Sequence, residues 1–397
     1  MDASPGEASL ILPAIPSDAL PAPFDLGPFD FAQERLRRAS LGEARAGMAV
    51  EESVAPHRPL RRVLVAYSAI ERSVRGEPRE LEAELETIRT AQAIVENLNR
   101  ARIRAQTYVV YDLGDVDRMA SEFDVETTLV FNLCEHLQGD SHRDGEVAQR
   151  LTDLGLQFTG ASVGSLASAL DKAHAKEVLK AAGVPTASYQ VFSQPNQAIR
   201  VPLPAIVKPV AEDASIGIDR DSVVHDEPSL RRRVEYVLDT YRESALVEEF
   251  IVGREFNVGM WGNGRLYTLP IAELDYCDWA DPYQRFLHFE AKWNPEAPEY
   301  QTMYVRCPAY IDNALAERIG KTARTAYRVM GCRDYARVDL RLKEGRPMVL
   351  EVNPNPCLAP DAGFTNAARV AGYDYPQMVA RIARWAWARR GKEGALQ

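Results

Sequence analysis

The stretch that most constrains this chain is Tyr335–Cys357, YARVDLRLKEGRPMVLEVNPNPC. It reads as two strands joined by a short loop around Glu344, Gly345 and Arg346, because a three-residue connection with Gly in the left-handed position is a common hairpin. That register pairs Asp339 with Glu351 and Arg337 with Asn353. Side chains alternate between faces along a strand. One face then carries Val338, Leu340, Leu342, Met348, Leu350 and Val352, and the other Arg337, Asp339, Glu351 and Asn353. Directly opposed strand residues have Cβ atoms roughly 4.5–5.5 Å apart. Two carboxylates at that separation repel unless something positive lies between them. Hard oxygen donors without His or Cys suit Mg²⁺, which usually binds one or two carboxylates plus substrate phosphates. The plainer alternative is the solvated face of an ordinary hairpin. Against it stand the same-sign neighbours and the Asn353-Pro-Asn-Pro run, which ends the strand abruptly, as at the rim of a site.

Composition narrows the field. A chain of 397 residues can build two or three packed domains. A net charge of -10 argues against nucleic acid as the main partner, because phosphate backbones call for a basic surface. No run of 18 or more apolar residues exists, so no membrane span is expected. The 5 cysteines show neither a CxxC nor a framework spacing, which fits reduced thiols and a cytoplasmic location. Residues 1–57 are rich in proline and carry no basic residue before Arg35. With neither a positive start nor a continuous apolar core, they read as a disordered tail rather than a secretory signal.

Alternating elements follow. A buried strand opens at Arg61, a long helix covers 78–100, and further strands lie at Gln106–Tyr111 and Thr128–Leu133. Strands alternating with helices predict an α/β domain with a parallel sheet over 58–165. Next, Asp171 caps a helix that ends at Gly183 with Pro185 beyond it. Lys172 sits in its first turn, where a cation opposes the helix dipole, so either a phosphate offsets it or it is a plain surface lysine. Pro204–Pro209 reads as a strand ending in Lys208 then Pro209, and Ala245–Ile251 as another carrying Glu248 and Glu249. Gly262-Asn263-Gly264 marks a hairpin turn, and 311–330 an amphipathic helix that leads into the central hairpin. Glu135, His136 and His142 share a loop without the ligand spacing of a zinc site.

Taken in order, Ser68-x-x-Glu71-Arg72-x-Val74, Asp144-Gly145-Glu146, Thr159-Gly160, Asp171-Lys172, Val207-Lys208-Pro209, Glu290-Ala-Lys292-Trp293, Arg337-Val-Asp339 and Leu350-Glu-Val-Asn353-Pro resemble the D-alanine–D-alanine ligase group of the ATP-grasp superfamily. The resemblance covers about 61–390 and rests on order and spacing rather than on any one motif. It implies an ATP-grasp fold of α+β lobes, a small lobe over 166–255 and a larger one over 256–392 with the metal site. The implied activity is ATP-dependent joining of a carboxylate to an amine through an acyl phosphate.

The same resemblance assigns residues. Lys172, Lys208 and Lys292 are expected on the ATP phosphates, with Ser215 in the loop that closes over them. Glu248 is expected at the adenine amino group, with Phe250 and Ile251 beside the base, Glu255 at the ribose, and Leu350 against the nucleotide. Asp339, Glu351 and Asn353 would hold Mg²⁺ (two ions, Mn²⁺ serving also), Arg337 would stabilise the tetrahedral oxyanion, and Glu71 would hold the donor's ammonium. Small amino acids or amines are the implied partners, and a homodimer is left open. Three departures concern loop closure and the acceptor. Ala214 and Trp293 replace a serine and a tyrosine. After Asn353 no hydroxyl residue follows until Thr365, and Asp361 would repel an acceptor carboxylate. The sequence thus leaves three functions: a ligase for a different amine, an authentic D-alanine–D-alanine ligase, or a nucleotide-binding regulator without catalysis.

Overall fold

The computed structural model describes residues 59–69, 82–276 and 279–390. The expected tail at 1–57 and Glu71 lie outside the described residues. The first sheet is parallel, in the order β2-β1-β3-β4, formed by β1 (Arg62–Ser68), β2 (Ala105–Val110), β3 (Thr128–Leu133) and β4 (Gln157–Phe158). Val63, Leu64, Val65 and Ala66 in β1 are all buried, as a central strand with both faces covered requires. The helix Glu82–Arg100 lays Ala91, Ile94 and Leu98 on one face of the sheet, a helical spacing that puts them on a single stripe.

The second sheet is antiparallel, in the order β5-β8-β6-β7, from β5 (Tyr189–Phe192), β6 (Ala205–Pro209), β7 (Val223–Val224) and β8 (Ala245–Glu249). Helix Glu227–Tyr241 backs it through Leu230, Val234 and Val237. That helix starts at an Asp226 capping box and stops at Arg242 in the left-handed region (φ 57).

The third sheet runs β12-β11-β9-β13-β14, with β10 on β9; its strands are β9 (Glu255–Gly262), β10 (Tyr267–Thr268), β11 (Ala272–Asp275), β12 (Tyr304–Arg306), β13 (Asp334–Lys343) and β14 (Arg346–Asn353). Its buried face packs Val338, Leu340, Val349 and Val352 against Ile319, Ala323 and Ala326 of helix Asn313–Val329. The terminal helix Tyr375–Ala388 lies elsewhere in the chain's packing. Its Met378, Ile382, Ala383 and Ala386 share one core with Val63, Val65, Leu129 and Phe131 of the first sheet and with Trp261 of the third. This helix therefore clamps the first sheet to the third.

The turn of the β13–β14 hairpin differs from the sequence expectation. Lys343 pairs with Arg346, leaving a two-residue turn of Glu344 and Gly345, both at positive φ (52 and 75). The extra residue expected in the loop sits instead at a bulge between the pairs Leu340–Val349 and Asp339–Glu351, where Leu350 has no opposite number. A one-residue slip swaps faces. Between turn and bulge the buried residues are Pro347 and Val349, not Met348 and Leu350. Beyond the bulge the expected pairs return: Asp339 with Glu351 and Arg337 with Asn353.

Candidate active site

The polar side of the hairpin forms one connected cluster. Arg337 donates from Nε and Nη2 to the two oxygens of Asp339, at 2.8 Å each. The Asn353 amide nitrogen donates to Asp339 (3.1 Å) and to Glu351 (3.2 Å). Asn257 of β9, opposite Asp339 on its other side, donates to Asp339 at 2.7 Å. The guanidinium and the two amide nitrogens supply the positive partners that the paired carboxylates demand. Burial raises Asp339 to about 6, against the pull of Arg337. Glu351 moves the other way: although burial pushes it up, Lys172, Lys208 and Arg337 hold it below its ordinary value.

Three lysines converge on this cluster from three separate segments. Lys292, in the short helix Phe289–Trp293, has its pKa lowered by burial and then by Arg337, with Cys357, Glu351 and Asp339 acting in the opposite sense. Lys172 donates to the Glu212 carbonyl and lies 3.8 Å from the Asp213 carboxylate. Lys208, at the end of β6, pairs with Glu248.

Glu248 was expected at the adenine. Its carboxylate is taken by two lysines: Lys208 and Lys176, the latter at 2.6 Å. All three side chains are buried, and although burial pushes Glu248 up, the two ammonium groups depress it to about 2. Lys176 also donates to Thr186, whose hydroxyl donates to the Val349 carbonyl beside the bulge, so the network ties the second sheet to the hairpin. Sequence reading missed Lys176 as a site residue. Its signal was present: it lies four residues after Lys172, on the same helical face. Asn257 was missed likewise, though it stands two residues beyond Glu255 and hence on the same side of the strand.

At the start of β9, Glu255 accepts through one oxygen from Arg341 (2.9 and 2.6 Å) and from Tyr276 (3.2 Å). Phe250 packs edge-on against Phe286 with ring centres 5.8 Å apart. The Phe250 N–H donates to the Pro204 carbonyl, and the Ile251 carbonyl accepts from Arg341. Leu350, displaced from the core by the bulge, is half-buried.

The loop over 211–218 is closed onto the segment 286–293 in this structure. Ser215 Oγ donates to the Leu287 carbonyl (3.1 Å), the Phe289 N–H to the Ile218 carbonyl (2.9 Å), and the Trp293 indole N–H to the Ala214 carbonyl (2.9 Å). Ala214 and Trp293, the two departures noted in the sequence, thus answer each other: an indole can only donate, and it finds a backbone acceptor that needs no serine. One neutral hydrogen bond contributes about 0.5–1.5 kcal/mol. Trp293→Phe is therefore expected to raise the KM for ATP by several-fold, to about tenfold at most, by freeing the loop. A KM equal to wild type in steady-state assays would show that the loop is held by its other contacts.

Among the described residues the group of candidate metal ligands is His142, Glu212 and Glu243, not Glu135, His136 and His142. His142 lies 3.6 Å from Glu243 and 3.9 Å from Glu212, the residue whose carbonyl holds Lys172. Burial, then Glu243, raises Glu212 to about 7 from an ordinary 4.5. A folded pKa above the unfolded one means that the native state binds the extra proton, so stability falls as pH rises from 4.5 to about 7. Glu212→Gln should flatten that slope in thermal unfolding followed across the same window; an unchanged slope would assign it to other groups.

The donor set suits magnesium-bound ATP. Asp339, Glu351 and Asn353 offer hard oxygens, while Lys172, Lys208, Lys292 and Arg337 supply more positive charge than those carboxylates balance. The comparisons agree in kind. The family model "D-ala D-ala ligase C-terminus" matches residues 178–384. An uncharacterized protein of Sinorhizobium fredii is 34% identical over 270 residues, 68% of this chain and 77% of that protein. The D-alanine–D-alanine ligase of Desulforudis audaxviator is 30% identical over 281 residues, 69% of this chain and 86% of the relative. In three dimensions, D-alanine–D-alanine ligase from Bacillus anthracis complexed with ATP superposes with a TM-score of 0.66 at 22% identity, over 84% of this chain and 99% of that one, a likeness of fold. Among the described residues no helix is long and apolar enough to cross a membrane. On the family match and the curated relatives, the chain belongs to the D-alanine–D-alanine ligase family of ATP-grasp enzymes and is an ATP-dependent, ADP-forming ligase of C–N bonds.

Proposed function

We propose that this enzyme activates a donor carboxylate as an acyl phosphate and transfers it to an amine other than D-alanine. The observation carrying the second half is the segment after the hairpin. Between Asn353 and Thr365 it holds no hydroxyl side chain, Thr365 itself is buried, and Asp361 is exposed. A D-alanine acceptor brings a carboxylate that this segment would repel.

In this reading residues 58–165 hold the donor, 166–255 grip the nucleotide, and 256–392 carry the metal ligands. Glu71, which lies outside the described residues, takes the donor's ammonium. Lys172, Lys208 and Lys292 spread positive charge over the phosphates, which is most of what phosphoryl transfer asks of a protein. Asp339, Glu351 and Asn353 would hold Mg²⁺, which when bound would supply charge neutralisation at the phosphates. Glu248 acts by fixing Lys176 and Lys208, and Glu255 by presenting its carboxylate to the ribose, with Phe250, Ile251 and Leu350 beside the base. Arg337 donates to the oxyanion that forms when the amine adds.

A second reading is favoured by relatives such as that of Desulforudis audaxviator, which are D-alanine–D-alanine ligases. ADP release measured over D- and L-amino acids, dipeptides and polyamines separates the two. Turnover with D-alanine alone would establish the second reading. Release with other amines supports the first, and silence with every amine despite ATP binding would defeat both.

A further inference from the structure

The polar face of the hairpin continues along the third sheet beyond Asp339. Across the β9–β13 ladder Arg337 stands opposite Gly259, Asp339 opposite Asn257, and Arg341 opposite Glu255. Alternate strand residues share a face, so Arg341 lies on the side of Asp339, about 7 Å further along. Both Arg341 and Glu255 are buried. The guanidinium is tied to several segments at once. Nε (2.9 Å) and Nη2 (2.6 Å) donate to Glu255 Oε2, Nη1 donates to the Ile251 carbonyl (2.8 Å), and Nη2 also donates to the Arg285 carbonyl. The cation lies 5.0 Å from the centre of the Phe250 ring, within cation–π range. One side chain therefore touches Phe250, Ile251, Glu255 and the start of the segment that carries Lys292.

The consequence falls on Glu255. Tyr276 donates to the same Oε2 at 3.2 Å, and none of these bonds falls on Oε1. A carboxylate clamped through one oxygen presents the other in a single direction. Resting on the ligase reading above, in which Glu255 meets the ribose, we propose that Arg341 is a positioning residue for the nucleotide. It fixes Glu255 so that Oε1 alone reads one of the two ribose hydroxyls. A carboxylate free to turn accepts from both hydroxyls of a cis diol; a clamped one does not. The enzyme thus discriminates sharply against the ATP analogue lacking that one hydroxyl, and weakly against the analogue lacking the other. Because Arg341 acts through Glu255, its effect is on nucleotide affinity rather than on the chemical step.

The test is equilibrium binding of ATP, 2′-deoxyATP and 3′-deoxyATP to the full chain with Mg²⁺, beside steady-state ADP release with the amines named above. Wild type is expected to bind one deoxy analogue about tenfold more weakly than the other, the scale of one charge-assisted hydrogen bond. Arg341→Gln should weaken ATP about tenfold, bring the two analogues to within about twofold of each other, and leave kcat at saturating ATP unchanged. Arg341→Lys keeps the charge and loses the fork, and should recover part of the affinity. Tyr276→Phe spares the buried ion pair and should also narrow the gap between the analogues, so it decides the matter if Arg341→Gln fails to fold in thermal unfolding. Equal binding of the two analogues by wild type, or an unmoved ratio in the folded variants, overturns the positioning role while the ligase reading stands. A lower kcat at unchanged KM overturns it as well, by assigning Arg341 to the chemistry. Absence of ATP binding by wild type overturns both.

Discussion

Arg337→Ala is expected to lower kcat by about 10²–10³, the usual loss when one preorganised oxyanion donor is removed, while ATP binding changes little. The phosphate contacts proposed for Lys172, Lys208 and Lys292 do not pass through Arg337. What the substitution removes is a guanidinium held in one geometry by two 2.8 Å bonds to Asp339. That clamp matters because a donor already oriented before charge develops needs no reorganisation at the moment of reaction. Removal has a second consequence. Arg337 is the strongest influence keeping Asp339 ionised against burial, so in the variant that carboxylate should protonate more readily and hold a metal less well near neutral pH. Arg337→Lys keeps the charge and loses the fork, and should fall between the two. Single-turnover ADP formation beside equilibrium nucleotide binding checks this. Wild-type turnover in Arg337→Ala would remove the residue from its assigned role.

Glu248→Ala should be the most damaging substitution for the fold. It leaves Lys176 and Lys208, both buried, facing each other without a counter-ion. Deleting one partner of a buried ion pair typically costs about 3–5 kcal/mol. Because Lys208 is a proposed phosphate contact, the KM for ATP should rise together with the loss of stability. Glu248→Gln preserves shape and tests whether charge is the cause. The pH dependence has a defined sign. The folded pKa of Glu248 is depressed, so its contribution is fully present above 4.5 and disappears as pH falls toward about 2. Denaturant unfolding at neutral pH and near pH 3 is the measurement. If Glu248→Ala unfolds at the same midpoint as wild type, the buried triad contributes nothing net.

How much of this was legible in the chain can be judged residue by residue. The pairing of Asp339 with Glu351 was readable, since two strands with apolar residues on alternate positions allow few registers that keep one face buried. The route to it was not. The same pairing arises from a three-residue loop or from a two-residue turn followed by a bulge, and only the packing of Pro347 and Val349 against the core chooses the second. The lysines were found as isolated local patterns, yet the sequence did not say that Lys176 and Lys208 share one carboxylate. That fact depends on a helix and two strands brought together from 172 to 249.

The sequence by itself determined most of the strands and helices and the pairing of Asp339 with Glu351, because periodicity, caps and turn residues act over a few positions. Tertiary structure alone decided which partner each polar group takes: Arg337 on Asp339, Glu248 between two lysines, and Trp293 on the Ala214 carbonyl. Electrostatic and hydrogen-bond energies depend on distance and burial in space, and neither is written in separation along the chain.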